Sequence, residues 1–148
     1  MGLDETDKKI LNVLVNNSRL SFRQIAKKVS VSVATVMHHV HKLENEKVID
    51  KYSAKLDYEK IGYDVEVLIE IRISKRRLLD VEKKIAVHPN VFAIYDVTGT
   101  FDAVILARFR TRRQMDAFLK KIQTYEFVER TETKLILNTI KEKNIEVE

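Results

Sequence analysis

The run Ser21-Phe22-Arg23-Gln24-Ile25-Ala26-Lys27-Lys28-Val29-Ser30-Val31-Ser32-Val33-Ala34-Thr35-Val36-Met37-His38-His39-Val40-His41-Lys42-Leu43 carries two helical signals separated by three residues. Ser21 with Gln24 three positions on has the form of a capping box, in which each side chain satisfies a backbone N–H that the first helical turn leaves free. Phe22, Ile25, Ala26 and Val29 then share one face, which predicts a short helix over residues 22–29. Ser30-Val31-Ser32 breaks it, and Ser32 is suited to cap a second helix in which Val33, Val36, Val40 and Leu43 recur at helical spacing. At about 100° per residue these four share a sector, and Ala34, Thr35, His38, His41 and Lys42 gather opposite. Two helices joined by a tight turn, the second with hydrogen-bonding side chains outward, form the helix-turn-helix pattern, whose second helix enters the DNA major groove.

Upstream, Ile10, Val13 and Leu14, with Leu11 and Val15 more loosely, predict a helix over residues 4–16. Downstream, Val48 to Leu56 has the composition of a short strand, a wing beside the three helices. From residue 64 the period becomes two, with Val65, Val67, Ile69, Ile71 and Ile73 on one face. Helical spacing returns over Arg77–Ala86 and is stopped at His88-Pro89-Asn90, because the residue before a proline is pushed out of the helical region. Val91–Val97 and Ala103–Phe109 flank Thr98-Gly99-Thr100-Phe101-Asp102 as a hairpin. Thr111 caps a helix with Met115, Phe118, Leu119 and Ile122 on one face, and residues 128–141 read as a last strand. The predicted fold class is α+β, an N-terminal winged helix-turn-helix domain followed by a ferredoxin-like β-α-β-β-α-β domain. The expected divisions are 1–50 for DNA binding, 51–63 for a connecting strand and linker, and 64–148 for oligomerisation and effector binding.

The 148 residues hold no Cys, which excludes disulfides, thiolate zinc sites and cysteine nucleophiles. With Gly at 3 and Pro at 1, there is little material for glycine-rich phosphate cradles. No apolar run approaches the roughly 20 residues of a membrane span, and the acidic start Met1-Gly2-Leu3-Asp4-Glu5 lacks the order of a signal peptide. A cytoplasmic protein without a membrane partner is expected. The net charge of +5 is uneven: residues 1–55 carry ten Lys and Arg against six Asp and Glu, and the remaining 93 residues are nearly balanced. A basic first third points to a polyanion partner, double-stranded DNA in view of the helix-turn-helix pattern. In Ala103-Val104-Ile105-Leu106-Ala107 both faces of a strand are apolar, and Leu68 and Ile136 add to the side opposite the core. An open apolar sheet face predicts a homodimer formed through the sheets.

Leu3-Asp4-Glu5-Thr6-Asp7-Lys8-Lys9-Ile10-Leu11, Ile25-Ala26, Ser32, Thr35, Val36, Val40, Lys42-Leu43, Val48-Ile49, Ile61-Gly62-Tyr63 and Thr98-Gly99-Thr100-Phe101-Asp102, taken in order, resemble the Lrp/AsnC family of leucine-responsive or feast/famine transcription regulators. The likeness spans nearly the whole chain. It implies a DNA-binding dimer, often assembled to an octamer, whose C-terminal domains bind amino acids or related metabolites between subunits. The chain departs from the family where glycine is usual, at Ser30 and Lys47, and has His39 where Arg is usual. Thr100 stands where an acidic residue is common.

For DNA, Arg23, Lys27, Lys28 and Lys42 suit phosphates, and Ser32, Thr35, His38, His39 and His41 suit phosphates or base edges. His38 and His41, three residues apart, are too few ligands for a metal site, and no metal or other cofactor is expected. Gly99, Thr100, Phe101 and Asp102, with Thr131 and Thr133 on the last strand, are the effector candidates. Glycine bares backbone N–H groups to a carboxylate, and Asp102 can take an ammonium. The same loop also reads as a plain hairpin turn in which Gly99 accepts positive φ. Asp102, Arg108 and His88 form no recognisable triad, so no catalytic residues are assigned. The predicted function is a sequence-specific regulator answering to an amino acid, with an effector-independent architectural DNA binder as the alternative.

Overall fold

Asp4 begins the first helix, α1 (Glu5–Asn16), through a capping box formed by two acidic residues. Asp4 Oδ1 accepts from Asp7 N at 2.7 Å and Asp7 Oδ2 accepts from Asp4 N at 3.0 Å. Helix α2 (Phe22–Val29) starts with the Ser21–Gln24 box read from the sequence, and α3 (Val33–Asn45) starts at Ser32. The computed structural model describes residues 2–74 and 77–148; Met1, Lys75 and Arg76 lie outside the described residues. The chain divides into two units, Met1–Lys55 with Lys141–Glu148, and Leu56–Ile140. The last eight residues therefore group with the first unit, whereas the sequence places them with the second domain.

In the first unit Ile10, Ile25, Ala26, Val29, Val36 and Val40 are buried together, one stripe from each helix, with Val13, Leu14, Leu20, Phe22 and Val31 packed around them. The tight turns that aim these stripes inward use left-handed backbone at Ser30 and Lys47, both at φ 60°. These are the two positions where the resemblance noted above leads one to expect glycine. A side chain there costs roughly 1–2 kcal/mol that glycine avoids, of which about 0.5–1 is offset by glycine's freer unfolded chain. Ser30→Gly and Lys47→Gly are therefore each expected to stabilise the unit by about 0.5–1 kcal/mol and to add. Thermal denaturation of the single and double variants checks this, and a lowered midpoint in either single variant contradicts it.

The predicted strand over Val48–Leu56 is not formed. Val48 N and Ile49 N both donate to Leu43 O and close the end of α3. Residues 51–57 carry no strand, since a strand needs a laddering neighbour and none of the described residues supplies one.

The second unit is a four-stranded antiparallel sheet of order β2-β3-β1-β4, with β1 (Val65–Ile73), β2 (Val91–Asp96), β3 (Ala103–Phe109) and β4 (Val128–Leu135). Helices α4 (Leu78–Lys84) and α5 (Arg112–Gln123) join them, so the β-α-β-β-α-β order holds. Strand β4 is shorter than predicted, with one further bond from Ile136 N to Glu66 O. Val67, Ile69, Ile71, Ala103, Ile105, Ala107 and Phe109 share one core with Val81 and Ile85 of α4 and Met115, Phe118 and Ile122 of α5. Both helices therefore cover one face. Leu68, Val104 and Leu106, which alternate with the core residues, point to the other face and stay half-exposed.

Candidate functional site

On α3 the buried residues are Val36, Val40 and Leu43, so the opposite face carries Ala34, Met37, His38 and His41, all exposed. This face offers two imidazoles and an exposed thioether, groups that hydrogen-bond base edges or phosphates and touch a thymine methyl. The sequence reading missed Met37, 42% exposed; its helical spacing from Ala34 and His41 was the available signal. Thr35 is half-buried, and its Oγ1 lies 2.8 Å from Ser32 Oγ, which also accepts from Thr35 N. Ser32 and Thr35 thus form the helix start. The Phe22 ring meets His41 edge-on with centroids 6.1 Å apart, which sets the first turn of α2 beside the exposed face of α3. Arg23, Lys27 and Lys28 are exposed on α2.

His39 and Lys42 are placed differently. Asp7, fully buried, accepts from His39 Nδ1 at 2.7 Å and from Lys42 Nζ at 2.8 Å. Burial alone would raise the Asp7 carboxyl, but the hydrogen bonds from His39, Lys42 and the Asp4 backbone outweigh it and hold the group at about 2. The Lys42 ammonium is raised by the same bond. Both side chains are thereby directed to α1 and away from the exposed face that carries His38 and His41. Among the described residues Asp4, Asp7 and His39 are the one grouping with metal-type ligand atoms close together; they are bonded to one another as the helix cap and its ion pair.

In the second unit the predicted effector residues separate. Asp102 Oδ2 accepts from Ile73 N at 2.7 Å, which ties the start of β3 to the end of β1. Phe101 is buried, with the Arg130 guanidinium 5.5 Å from its ring. Gly99 has φ 112°, as a turn glycine would, and Thr98 and Thr100 are exposed beside it. Thr131 Oγ1 accepts from Gln123 Nε2 and Thr133 is exposed on β4. A cavity of about 470 Å³ opens next to Asp102, lined by Arg72, Ile73, Ser74, Arg77, Leu78, Asp96 and Glu129. Of the six predicted effector residues it takes in Asp102 alone. Two guanidinium groups, three carboxylates and two apolar side chains in one cavity complement a small zwitterion with an apolar tail.

The residues weighed for catalysis are dispersed into structural tasks. Arg108 lies 3.7 Å from the Phe92 ring centroid and 4.5 Å from that of Tyr58. His88 meets Phe118 at a tilt, ring centroids 4.6 Å apart, and its Nδ1 accepts from Asn90 N. Burial, aided by Lys121, keeps the His88 pKa below its ordinary value.

A family model described as the Lrp/AsnC ligand binding domain matches residues 66–145, and one described as winged helix-turn-helix DNA-binding matches residues 3–50. An uncharacterized HTH-type transcriptional regulator of Pyrococcus furiosus is 40% identical over 142 residues, 96% of each chain. The HTH-type transcriptional regulator FL11 of Pyrococcus horikoshii is 31% identical over 95% of this chain and 93% of its own. Among solved structures, a transcriptional regulator of Neisseria meningitidis in complex with L-Met has a TM-score of 0.91 at 25% identity, covering 96% of this chain and 94% of its own. AsnC of E. coli has a TM-score of 0.90 at 25% identity, covering 99% and 100%.

Proposed function

Because this chain belongs to the Lrp/AsnC family of DNA-binding transcription regulators, we propose that it works as a dimer or a multiple of dimers, up to an octamer, on duplex DNA. Regulation by a small amino acid or related metabolite held in the charged cavity beside Asp102 completes the reading. The observation that carries it is the division of labour on α3: one flank is anchored to the buried Asp7, while Ala34, Met37, His38 and His41 are left exposed. Arg23, Lys27 and Lys28 on α2 supply phosphate contacts, and Ser32 and Thr35 position the N-terminus of α3 against the backbone.

The open sheet face supports the dimer. Leu68, Val104 and Leu106, with Ala93 and Tyr95 aligned to them in register, form an apolar patch, flanked by the ion pairs of Glu66 with Arg108 and Glu70 with Lys134. An apolar centre with a charged rim is the anatomy of a protein interface. In the cavity, Arg72 suits the ligand carboxylate, beside Arg77, whose Nε already donates to Asp80 at 2.6 Å, and Asp96, Asp102 and Glu129 suit its ammonium; the L-Met complex of the Neisseria regulator lends the ligand class support. A second reading, DNA binding with no effector, is favoured by the engagement of Asp102 with Ile73 N and the burial of Phe101.

Selection of bound duplexes from a random pool, followed by affinity against salt with and without each of the twenty amino acids, tests both. Three phosphate-binding cations on each of two subunits give a slope of log K against log salt of about −5. A flat plot removes the DNA reading. An amino acid that changes the affinity supports the effector, and calorimetry showing no heat from any of them leaves the architectural reading in its place.

A further inference from the structure

Asn12 sits in the interior of α1, where Asn is a poor helix former. Its carboxamide faces a residue 135 positions away: Asn12 Nδ2 donates to Val147 O at 3.0 Å and Asn12 Oδ1 accepts from Val147 N at 2.7 Å. Only Asn and Gln place an amide donor and an acceptor side by side, so the pair reads the main chain of one residue whatever its side chain. An extended segment seated this way is held as a sheet edge would hold it. A second anchor lies at Lys55, whose Nζ reaches the Glu142 main-chain oxygen, with the Glu142 carboxylate at 3.7 Å. Between the anchors Ile145 is 84% exposed, and the anchored Val147 is half-buried. Polar pairing at two points holds the segment, not apolar burial, and such pairing can be released. Residues 141–148 group with the DNA-binding unit although residues 56–140 do not, so the chain passes between the units twice, at 55–56 and at 140–141.

We propose that residues 141–148 are a strap, seated on the DNA-binding unit by the Asn12 carboxamide, which couples that unit to the C-terminal domain while seated and frees it on release. A unit joined at two points samples fewer orientations than one joined by a single linker, which raises the effective concentration of a second DNA-binding unit at a second half-site. This consequence rests on the dimeric DNA-binding reading above; the seating itself does not.

The test uses the full chain and two variants. Asn12→Ala removes the seat with a better helix former in place, and Val147→Pro removes the donor without touching α1. In the wild type the Val147 amide is expected to exchange with solvent at least about tenfold more slowly than in Asn12→Ala, and nitrogen relaxation should show both variants with a mobile tail and a faster-tumbling DNA-binding unit. On DNA, both variants should lose about fivefold or more on a duplex with two half-sites and stay within about twofold on a single half-site. A wild-type Val147 amide exchanging at the free-peptide rate, or relaxation unchanged in the variants, overturns the strap. Equal loss on both duplexes overturns the coupling and leaves Asn12 a support of α1. A wild type that binds neither duplex defeats the DNA reading, while the exchange and relaxation results still decide the strap.

Discussion

Asp7→Ala is expected to destabilise the DNA-binding unit by about 3 kcal/mol near neutral pH, enough to unfold a marginal small domain. Three losses combine. The capping box at the start of α1 loses the half in which the Asp7 carboxylate accepts from Asp4 N. The partners left behind, His39 at 14% and Lys42 at 31% side-chain exposure, lose a charge-assisted bond that water replaces only in part. A small void opens where the carboxylate was buried. The pH dependence follows from the Asp7 pKa, about 2 in the folded chain against the ordinary 3.8. A carboxyl whose pKa is depressed by folding contributes stability that is full above its unfolded value and is lost as pH falls through its folded value. The wild type should therefore lose about 2 kcal/mol between roughly pH 4 and pH 2 through this group, and Asp7→Ala should lack that component. Thermal denaturation followed by circular dichroism at pH 7 and across the acid range measures both; equal midpoints at pH 7 with parallel acid profiles would sink the assignment.

The same ion pair marks where sequence reading stops. The helix-turn-helix was legible because its signals are local. Ser21 with Gln24, Ser32, and the stripe along α3 each act within one or two helical turns; the structure reproduces the helix starts and buries Val36, Val40 and Leu43, while Val33 in the first turn stays 39% exposed. The β-α-β-β-α-β order was legible for a similar reason, since the period-two run of β1 and the apolar β3 need no knowledge of distant residues. For His39 and Lys42 a helical wheel gives a place on α3 but not the neighbour that covers that flank. Here the neighbour is α1, and the Asp7 it brings lies 32 residues from His39. Val48 to Leu56 had the composition of a strand, but composition supplies no ladder partner. Asp102 was assigned to a ligand for its chemistry, and a backbone N–H 29 residues away takes one of its oxygens. The cavity beside it is assembled from β1, the start of α4, the end of β2 and β4. No local pattern announces such a set, and Asn12 with Val147 is the extreme case.

In the dimer proposed above, Leu106→Lys should leave a folded monomer. Leu106 is paired with Leu68 on one side and Ala93 on the other, which makes it the centre of the apolar patch on the open sheet face. Its strand neighbours Ile105 and Ala107 point to the helices and are fully buried. The substitution therefore leaves the core intact, and the fold of the free subunit should survive. In a dimer packed through this face the new ammonium would lie among Leu68, Val104 and their counterparts, and its diagonal neighbours Glu66 and Glu70 already hold Arg108 and Lys134. An unpaired buried charge costs about 3–5 kcal/mol, so the dimer dissociation constant should rise by roughly two to four orders of magnitude. DNA binding gives a second, independent readout. A monomer neutralises half the phosphates of a dimer, so the slope of log K against log salt should fall to about half its wild-type value. Sedimentation velocity at micromolar concentration with the salt titration checks both consequences. A variant that stays dimeric with an unchanged slope puts the subunit interface on another surface, and a monomeric wild type removes the dimer altogether.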